Sequence, residues 1–223
     1  MLDVMNNGIK PALTLQVASR LPVPRLRVRF SAASPFGAPH PEHVAAMQHV
    51  VRLLENMGHA IEEAPAPSGT LEDFLPLWQK LVASAPIRKS KAQPVTAWLI
   101  DVARGLSRAA VATLHDNAVG KVEAMFGNAD IFVSPTTIIQ APRIGEWQSL
   151  PPSAAFTAAA GLAGLTAPFN ITGQPACSIP TGLSSNGLPI GVQLVAKRNQ
   201  DGLLLALARM LEPQLGFYLR PPR

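Results

Sequence analysis

The side chains of this chain that could serve as base, nucleophile or metal ligand are few, and their spacing tests each possibility. His40 and His43 with Glu42 between them have the residue types of a metal site. That spacing suits the first turn of a helix, and no further ligands follow. Cys177 lies in the apolar run Pro175 to Pro180 with no cationic group or base near it in sequence. It reads as a buried structural thiol rather than a thiolate nucleophile. Ser90 stands between Lys89 and Lys91, and sequence neighbours share no helix face, so the three read as an exposed charged turn. The motifs G-x-S-x-G, S-x-x-K, the P-loop, G-x-G-x-x-G and H-E-x-x-H do not occur in the sequence.

Composition limits what these groups can belong to. With 223 residues, 48% of them apolar and 15% charged, the chain can bury the core of one large domain or two small ones. A single cysteine cannot form an intramolecular disulfide, which fits a reducing compartment. The net charge of +5 is local: Lys10, Arg20, Arg25, Arg27 and Arg29 face Asp3 alone in the first 30 residues. Arg25, Arg27 and Arg29 alternate with Leu26, Val28 and Phe30, as on a strand with one solvated face. Interleaved aromatic platforms are missing there, so no nucleic-acid partner is expected. Trp147 to Ala196 holds no charged residue, but Thr157, Gly161, Gly164, Thr166, Pro168 and Asn170 interrupt its apolar part. No membrane span is expected. The Ala12 to Ala18 run makes a poor signal peptide, and cytoplasmic localisation is the expectation.

Periodicity supplies the elements. Arg25 to Phe30 reads as a strand, and Pro39, Pro41 and Glu42 open a helix with Val44, Met47, Val51 and Leu54 on one face. Gly58 stops that helix, and His59 to Ala64 returns as a strand, giving a βαβ-like unit. Residues 70 to 127 are helical in pattern with breaks at Pro76, Pro86 and Pro94. Their last helix carries Val111, Leu114, Ala118, Val122 and Met125 on one stripe and ends at Gly127 and Asn128. Asp130 to Pro135, Ala176 to Pro180 and Gly191 to Ala196 read as strands, with a turn at Ser185, Asn186 and Gly187. Ala154 to Leu165 reads as a helix of small residues. Gln200 to Glu212, with Leu203, Leu204, Leu207 and Leu211, closes the chain as another. The alternation predicts an α/β layer fold.

One stretch is more specific: Phe169-Asn-Ile-Thr-Gly-Gln-Pro-Ala-Cys-Ser-Ile-Pro-Thr-Gly182, followed by Ser184-Ser-Asn-Gly-Leu-Pro-Ile-Gly-Val-Gln-Leu194. It resembles the C-terminal part of the amidase signature family, serine amidohydrolases that include bacterial amidases, fatty-acid amide hydrolases and the amidase subunit of tRNA-dependent amidotransferases. Gly58-His-Ala-Ile-Glu-Glu-Ala-Pro65, Asp130-Ile-Phe-Val-Ser-Pro-Thr-Thr137 and Asp201 to Glu212 agree with the family in order, so the resemblance runs from about Arg25 to Glu212.

The resemblance implies a mixed β-sheet covered by helices, hydrolysis of carboxylic amides through an acyl-serine, and no cofactor or metal. The family's chemistry rests on a Ser nucleophile, a second Ser on a cis peptide, a Lys base and a Gly/Ser-rich oxyanion loop. No such loop occurs here, and Ser184-Ser185 matches the family's C-terminal turn instead, so no catalytic residue is assigned. Met1-Leu-Asp-Val resembles the middle of a family helix, which divides the chain into a lead-in, 1–24, and a C-terminal amidase segment, 25–223. Such a segment is expected to wall a substrate cleft. The candidate substrate-binding residues are Thr136 and Thr137 after a strand, and Asn170, Thr172 and Gln174 in an uncharged turn, all able to hydrogen-bond an amide. Phe169 and Trp147 are candidates to line an acyl pocket. The expected partners are a small amide substrate and either a complementing chain or a second copy. The competing reading is a non-catalytic remnant or scaffold subunit of a split amidase.

Overall fold

A computed structural model of the chain describes residues 20–65 and 69–216. The alternating arginine and apolar side chains form β1 (Arg27–Phe30), and Pro41 starts α1 (Pro41–Asn56), where its lack of an N–H costs no hydrogen bond. Gly58 follows the end of α1, and β2 (Ala60–Glu63) pairs in parallel with β1, completing the expected βαβ unit. Next come α2 (Leu71–Ser84), a short 3-10 turn at Lys89–Lys91, α3 (Pro94–Ala103) and α4 (Arg108–Phe126). The buried strand β3 (Ile131–Pro135) leads to α5 (Pro152–Ala163) and α6 (Ala167–Thr172). The hairpin β4 (Ala176–Leu183) and β5 (Pro189–Ala196) precedes α7 (Asp201–Leu215). The family-like N-terminal segment Met1-Leu-Asp-Val lies outside the described residues.

Two local expectations need correction. Pro76 does not break the helix but sits inside α2. A proline in a helix interior costs about 3 kcal/mol, and α2 offsets this with a capping box between Thr70 and Asp73 and with buried Leu77 and Gln79. Asn170 and Thr172, expected in a turn with Gln174, lie in the short helix α6 (Ala167–Thr172). Pro168 occupies its first turn, and Gly173 ends it in the left-handed region at φ +78°.

The strands form one mixed sheet in the order β2-β1-β3-β5-β4. β1 runs parallel to both β2 and β3, whereas β5 runs antiparallel to both β3 and β4. On one face Val28, Ile131, Val133, Val192 and Leu194 pack against Met47, Val50 and Leu54 of α1 and Leu204, Leu207 and Leu211 of α7. Each such fully buried side chain contributes about 1.5–3 kcal/mol. On the other face Phe132 and Val195 meet Phe126 of α4 and Phe169 of α6, with aromatic ring centroids 6.0–6.5 Å apart. Among the described residues, no helix is long and apolar enough to cross a membrane.

The arginine face of β1 is not uniformly solvated, which corrects the sequence expectation. Arg27 is exposed and pairs with Asp130 at 3.6 Å. The Arg29 side chain is only 18% exposed; it donates to the carbonyls of Ala124 (3.4 Å) and Met125 (3.5 Å) and bonds Glu62 at 2.6 Å. The last carbonyls of a helix have no partner within it and carry partial negative charge, so an arginine beneath the end of α4 satisfies them.

This clamp makes Gly127 obligatory in two ways. Its φ of +50° disfavours any other residue, and an added Cβ would lie 2.4 Å from an Arg29 guanidinium nitrogen. Gly127→Ala is therefore expected to cost more than about 1 kcal/mol in urea unfolding. A variant as stable as the parent contradicts the clamp.

A pH dependence follows from His59. It is buried, its Nδ1 accepts the Leu26 N–H at 3.2 Å, and its Nε2 has no partner. Burial lowers its pKa below the ordinary histidine value, so the folded state holds the neutral ring and protons favour the unfolded chain. Its stabilisation is complete above the unfolded-state pKa and is lost as the pH falls through the lower folded-state value. The thermal midpoint should drop on going from about pH 7.5 to 5.5, near the ordinary histidine pKa. His59→Asn, whose oxygen can accept the same N–H without titrating, should flatten that drop.

Candidate functional site

Ligands of open α/β sheets settle beyond the carboxyl ends of the parallel strands, at the loops that follow them. The loops leaving β1 and β2 supply Pro35 and Phe36, and Gly69 and Thr70, to the walls of a cavity of about 350 Å³. Phe74 and Leu77 of α2, Leu114, Ala118, Val122 and Met125 of α4, and Pro168, Phe169 and Ile171 of α6 complete it, over Phe132 of β3. Leu114, Ala118, Val122 and Met125 of the α4 stripe thus face a cavity. Its charged lining residues are Asp73 and Lys121, which pair at 3.0 Å. The same Asp73 oxygen accepts the Thr70 N–H at 3.1 Å. The Lys121 ammonium first, and then this N–H, hold the Asp73 carboxyl below its ordinary pKa.

The loop leaving β3 carries two candidate threonines that continue the strand's alternation in opposite directions. Thr136 turns to the Phe132 side, where its hydroxyl lies 2.6 Å from that of the exposed Ser178. Gly191 beneath them leaves the necessary room, since a Cβ there would lie 2.5 Å from the Ser178 oxygen. Thr137 turns toward α1, and its carbonyl accepts the His43 Nδ1–H at 2.8 Å. The other three candidates gather at the end of α6. Asn170 is exposed and donates to the Thr166 carbonyl at 3.5 Å. The buried Thr172 hydroxyl lies between the Pro168 carbonyl, at 2.8 Å, and the side-chain oxygen of Gln174. Arg198 donates to the Thr172 carbonyl at 2.6 Å.

None of these five residues is among those that line the cavity, and Trp147 is not either, whereas Phe169 is. In the same segment it is Pro168, Phe169 and Ile171 that line the cavity. Phe36, Gly69 and Asp73 were missed because nothing local marks them: each comes from a loop or helix far along the chain from α6. Gln193 was missed too. It is buried, and its amide donates to Ser134 at 3.1 Å and to the Leu165 carbonyl at 2.9 Å, holding the link between α5 and α6 to the sheet.

The remaining groups with chemical potential are engaged in architecture. Ser184 brackets the hairpin turn, with its N–H donating to the Leu188 carbonyl at 2.7 Å and its hydroxyl accepting the Leu188 N–H at 3.1 Å. The Ser185 N–H donates to Glu42 at 2.8 Å, and Gln140 donates to the same carboxylate at 3.2 Å. The Ser185 N–H, as the largest cause, keeps the Glu42 carboxyl below its ordinary pKa. His40 caps α1, accepting the Glu42 N–H at 3.4 Å. Among the described residues no group of three or more histidine, cysteine or acidic side chains is placed to hold a metal ion.

Comparison with known proteins adds identity to this geometry. The profile of the amidase family matches residues 9–205. Two curated relatives are the 6-aminohexanoate-cyclic-dimer hydrolases of a Pseudomonas strain and of Paenarthrobacter ureafaciens, each 32% identical over 225 residues. Each alignment covers 89% of this chain and 46% of the relative. A solved structure of 6-aminohexanoate cyclic dimer hydrolase superposes with a TM-score of 0.76 at 28% identity, covering 92% of this chain and 48% of that one. The chain spans less than half the length of these relatives.

Cys177 is a free, partly buried thiol in β4. Burial raises the thiol to about 11. Its thiolate population at neutral pH is therefore about two orders of magnitude below that of an ordinary cysteine. Iodoacetamide at pH 7.5 should leave the folded chain unlabelled on the timescale that alkylates free cysteine and should label it after urea unfolding. Equal rates in both states contradict a structural thiol.

Proposed function

Because the chain belongs to the amidase family, we propose that it forms one wall of the substrate cleft in a hydrolase of carboxylic amides. The reaction would cleave the C–N bond through an acyl-serine. The observation that carries this reading is the cavity at the carboxyl end of the parallel strands, within the region matched to the family. In the family's reaction a serine oxygen attacks the amide carbonyl, the leaving amine takes up the serine's proton, and water then releases the carboxylic acid. The lysines with side-chain partners in the described residues hold no serine. Lys80 donates to the carbonyls of Ala103 and Leu106, Lys89 pairs with Asp101, and Lys121 pairs with Asp73. The nucleophile and base are therefore assigned to the portion of the family fold that this chain does not span. Thr136, Thr137, Asn170, Thr172 and Gln174 remain our substrate-binding assignments, with Thr136 best placed because its hydroxyl faces the same side of the sheet as Phe132. A reduced lone cysteine fits a cytoplasmic location.

The face of β4 supports completion by further polypeptide. Ala176, Ser178 and Pro180 are exposed on an edge strand, and Leu183 is 54% exposed. Pairing such an edge satisfies backbone groups and buries apolar surface. Purified alone, the chain should release no ammonia from aliphatic or aromatic carboxamides. Co-expressed with a family segment carrying the Lys and the Gly/Ser-rich loop, it should give a soluble complex that does. Gln174→Ala in that complex should raise KM more than it weakens assembly. A stable complex with intact Ser and Lys that hydrolyses no amide overturns the proposal. Turnover by the chain alone, abolished in Ser184→Ala or Ser185→Ala, overturns the structural assignment of the hairpin turn.

A further inference from the structure

The first 30 residues are not the chain's only basic region. Between Phe74 and His115 the basic residues Lys80, Arg88, Lys89, Lys91, Arg104 and Arg108 stand against Asp101 alone, a surplus equal to the +5 of the whole chain. Folding gathers them. The Lys80 ammonium donates to the carbonyls of Ala103 at 3.1 Å and Leu106 at 3.0 Å, which sets the Leu81 end of α2 beside the Val102 end of α3. Lys89 pairs with Asp101 at 2.6 Å and fastens the 3-10 turn to that same end of α3, and α4 begins just beyond it with Arg108. Arg104 shares Asp101 at 3.5 Å, so the one carboxylate is taken. Arg88, Lys91 and Arg108 are exposed without an acidic partner among the described residues. Apolar side chains emerge among these cations: Leu81 is 45% exposed, Ile87 43% and Val102 42%. Single exposed aliphatic residues are ordinary on a protein surface, but three brought to one place and ringed by cations mark a binding surface.

We propose that this surface docks the chain on an anionic lipid bilayer, with Leu81, Ile87 and Val102 entering the headgroup boundary and the arginines and lysines lying at the level of the lipid phosphates. Nothing crosses the bilayer in this arrangement. Peripheral binding of this kind needs two signals, apolar contact and opposite charge, and the surface supplies both. Each Lys or Arg brought near an anionic leaflet strengthens binding about fivefold. Other polyanions fit less well. A nucleic acid would use the charges but leave the aliphatic side chains in water, and it favours exposed aromatic rings for stacking. The aromatic residue of α3, Trp98, instead packs on Phe156 at 6.0 Å. An acidic polypeptide needs carboxylates at matching positions, whereas a fluid leaflet brings its headgroups to cations wherever they lie. The inference goes beyond the proposed function and does not depend on it.

The test is cosedimentation of the 223-residue chain with vesicles of about three parts phosphatidylcholine to one part phosphatidylglycerol, and with vesicles of phosphatidylcholine alone. At about 0.1 M salt the mixed vesicles should bind about tenfold or more tightly than the neutral ones, and about 0.5 M salt should remove most of that difference. Two double variants at exposed positions separate the two signals, with circular dichroism and Tm showing that each is folded. Arg88→Glu with Lys91→Glu should weaken binding to the mixed vesicles about tenfold or more. Ile87→Ser with Val102→Ser should weaken it about fivefold or more while leaving retention on immobilised heparin, a soluble polyanion, unchanged. Arg25→Glu, at an exposed position of the first basic region, should bind as the parent does. No preference for the mixed vesicles, or binding indifferent to both folded double variants, overturns the proposal. Binding removed by Arg25→Glu belongs to the other basic region and overturns it as well. If the charge reversals abolish vesicle and heparin binding alike while the serine variant changes neither, the surface is a general polyanion site and the bilayer assignment falls. Loss of vesicle binding once a complementing family segment is added means that the segment covers the surface, which also overturns the proposal.

Discussion

The strand β3 is buried on both faces and paired on both sides, with β5 along all five residues and with β1 along Ile131 to Val133, so those three must satisfy two ladders and two cores at once. Ile131 and Val133 enter the core beneath α1 and α7, while Phe132 joins the aromatic cluster under α4 and α6. A slip of one residue would exchange the faces, turning Phe132 into a tightly packed aliphatic layer and Ser134 away from Gln193. β3 is also where the sheet changes direction, with parallel β1 on one flank and antiparallel β5 on the other. The βαβ unit and the β4–β5 hairpin meet only through it within the sheet.

The geometry of the site follows from that strand. Its alternation continues into the loop, sending Thr136 to the Phe132 side and Thr137 to α1, where His43 fastens it. Ser134, wholly buried, needs a partner, and Gln193 supplies one while also gripping the Leu165 carbonyl. This places the start of α6, and α6 brings Pro168, Phe169 and Ile171 to the cavity. The far end of α4 is positioned independently by Arg29 and Glu62. The cavity is thus framed by polar contacts outside it as well as by the Asp73–Lys121 pair in its wall.

Much of this was legible in the residues because periodicity reports burial directly. The alternation at 25–30, the stripes of α1 and α7 and the apolar run at 130–135 each correspond to an element. The resemblance around Phe169 to Leu194 agrees with the family match. What could not be read was whatever depends on distant partners. Arg29 looks solvated until the end of α4 arrives above it, and Pro76 looks like a break until capping and packing outweigh its cost. The parallel-to-antiparallel change at β3 has no local signature. The cavity was missed for the same reason: Phe36, Gly69, Leu114 and Phe169 become neighbours only after folding, and an apolar stripe has the same pattern whether it faces a filled core or an opening.

If β3 is the element on which both halves of the sheet depend, its amides should be the last to exchange. Native-state hydrogen exchange of the 223-residue chain, followed residue by residue with increasing urea, measures this directly. The amides of Phe132, Val133 and Leu194 should exchange only through global unfolding, with the β1–α1–β2 unit and the β4–β5 hairpin converging on the same opening. Exchange of β3 in a partial opening that leaves both flanking units protected would contradict the account.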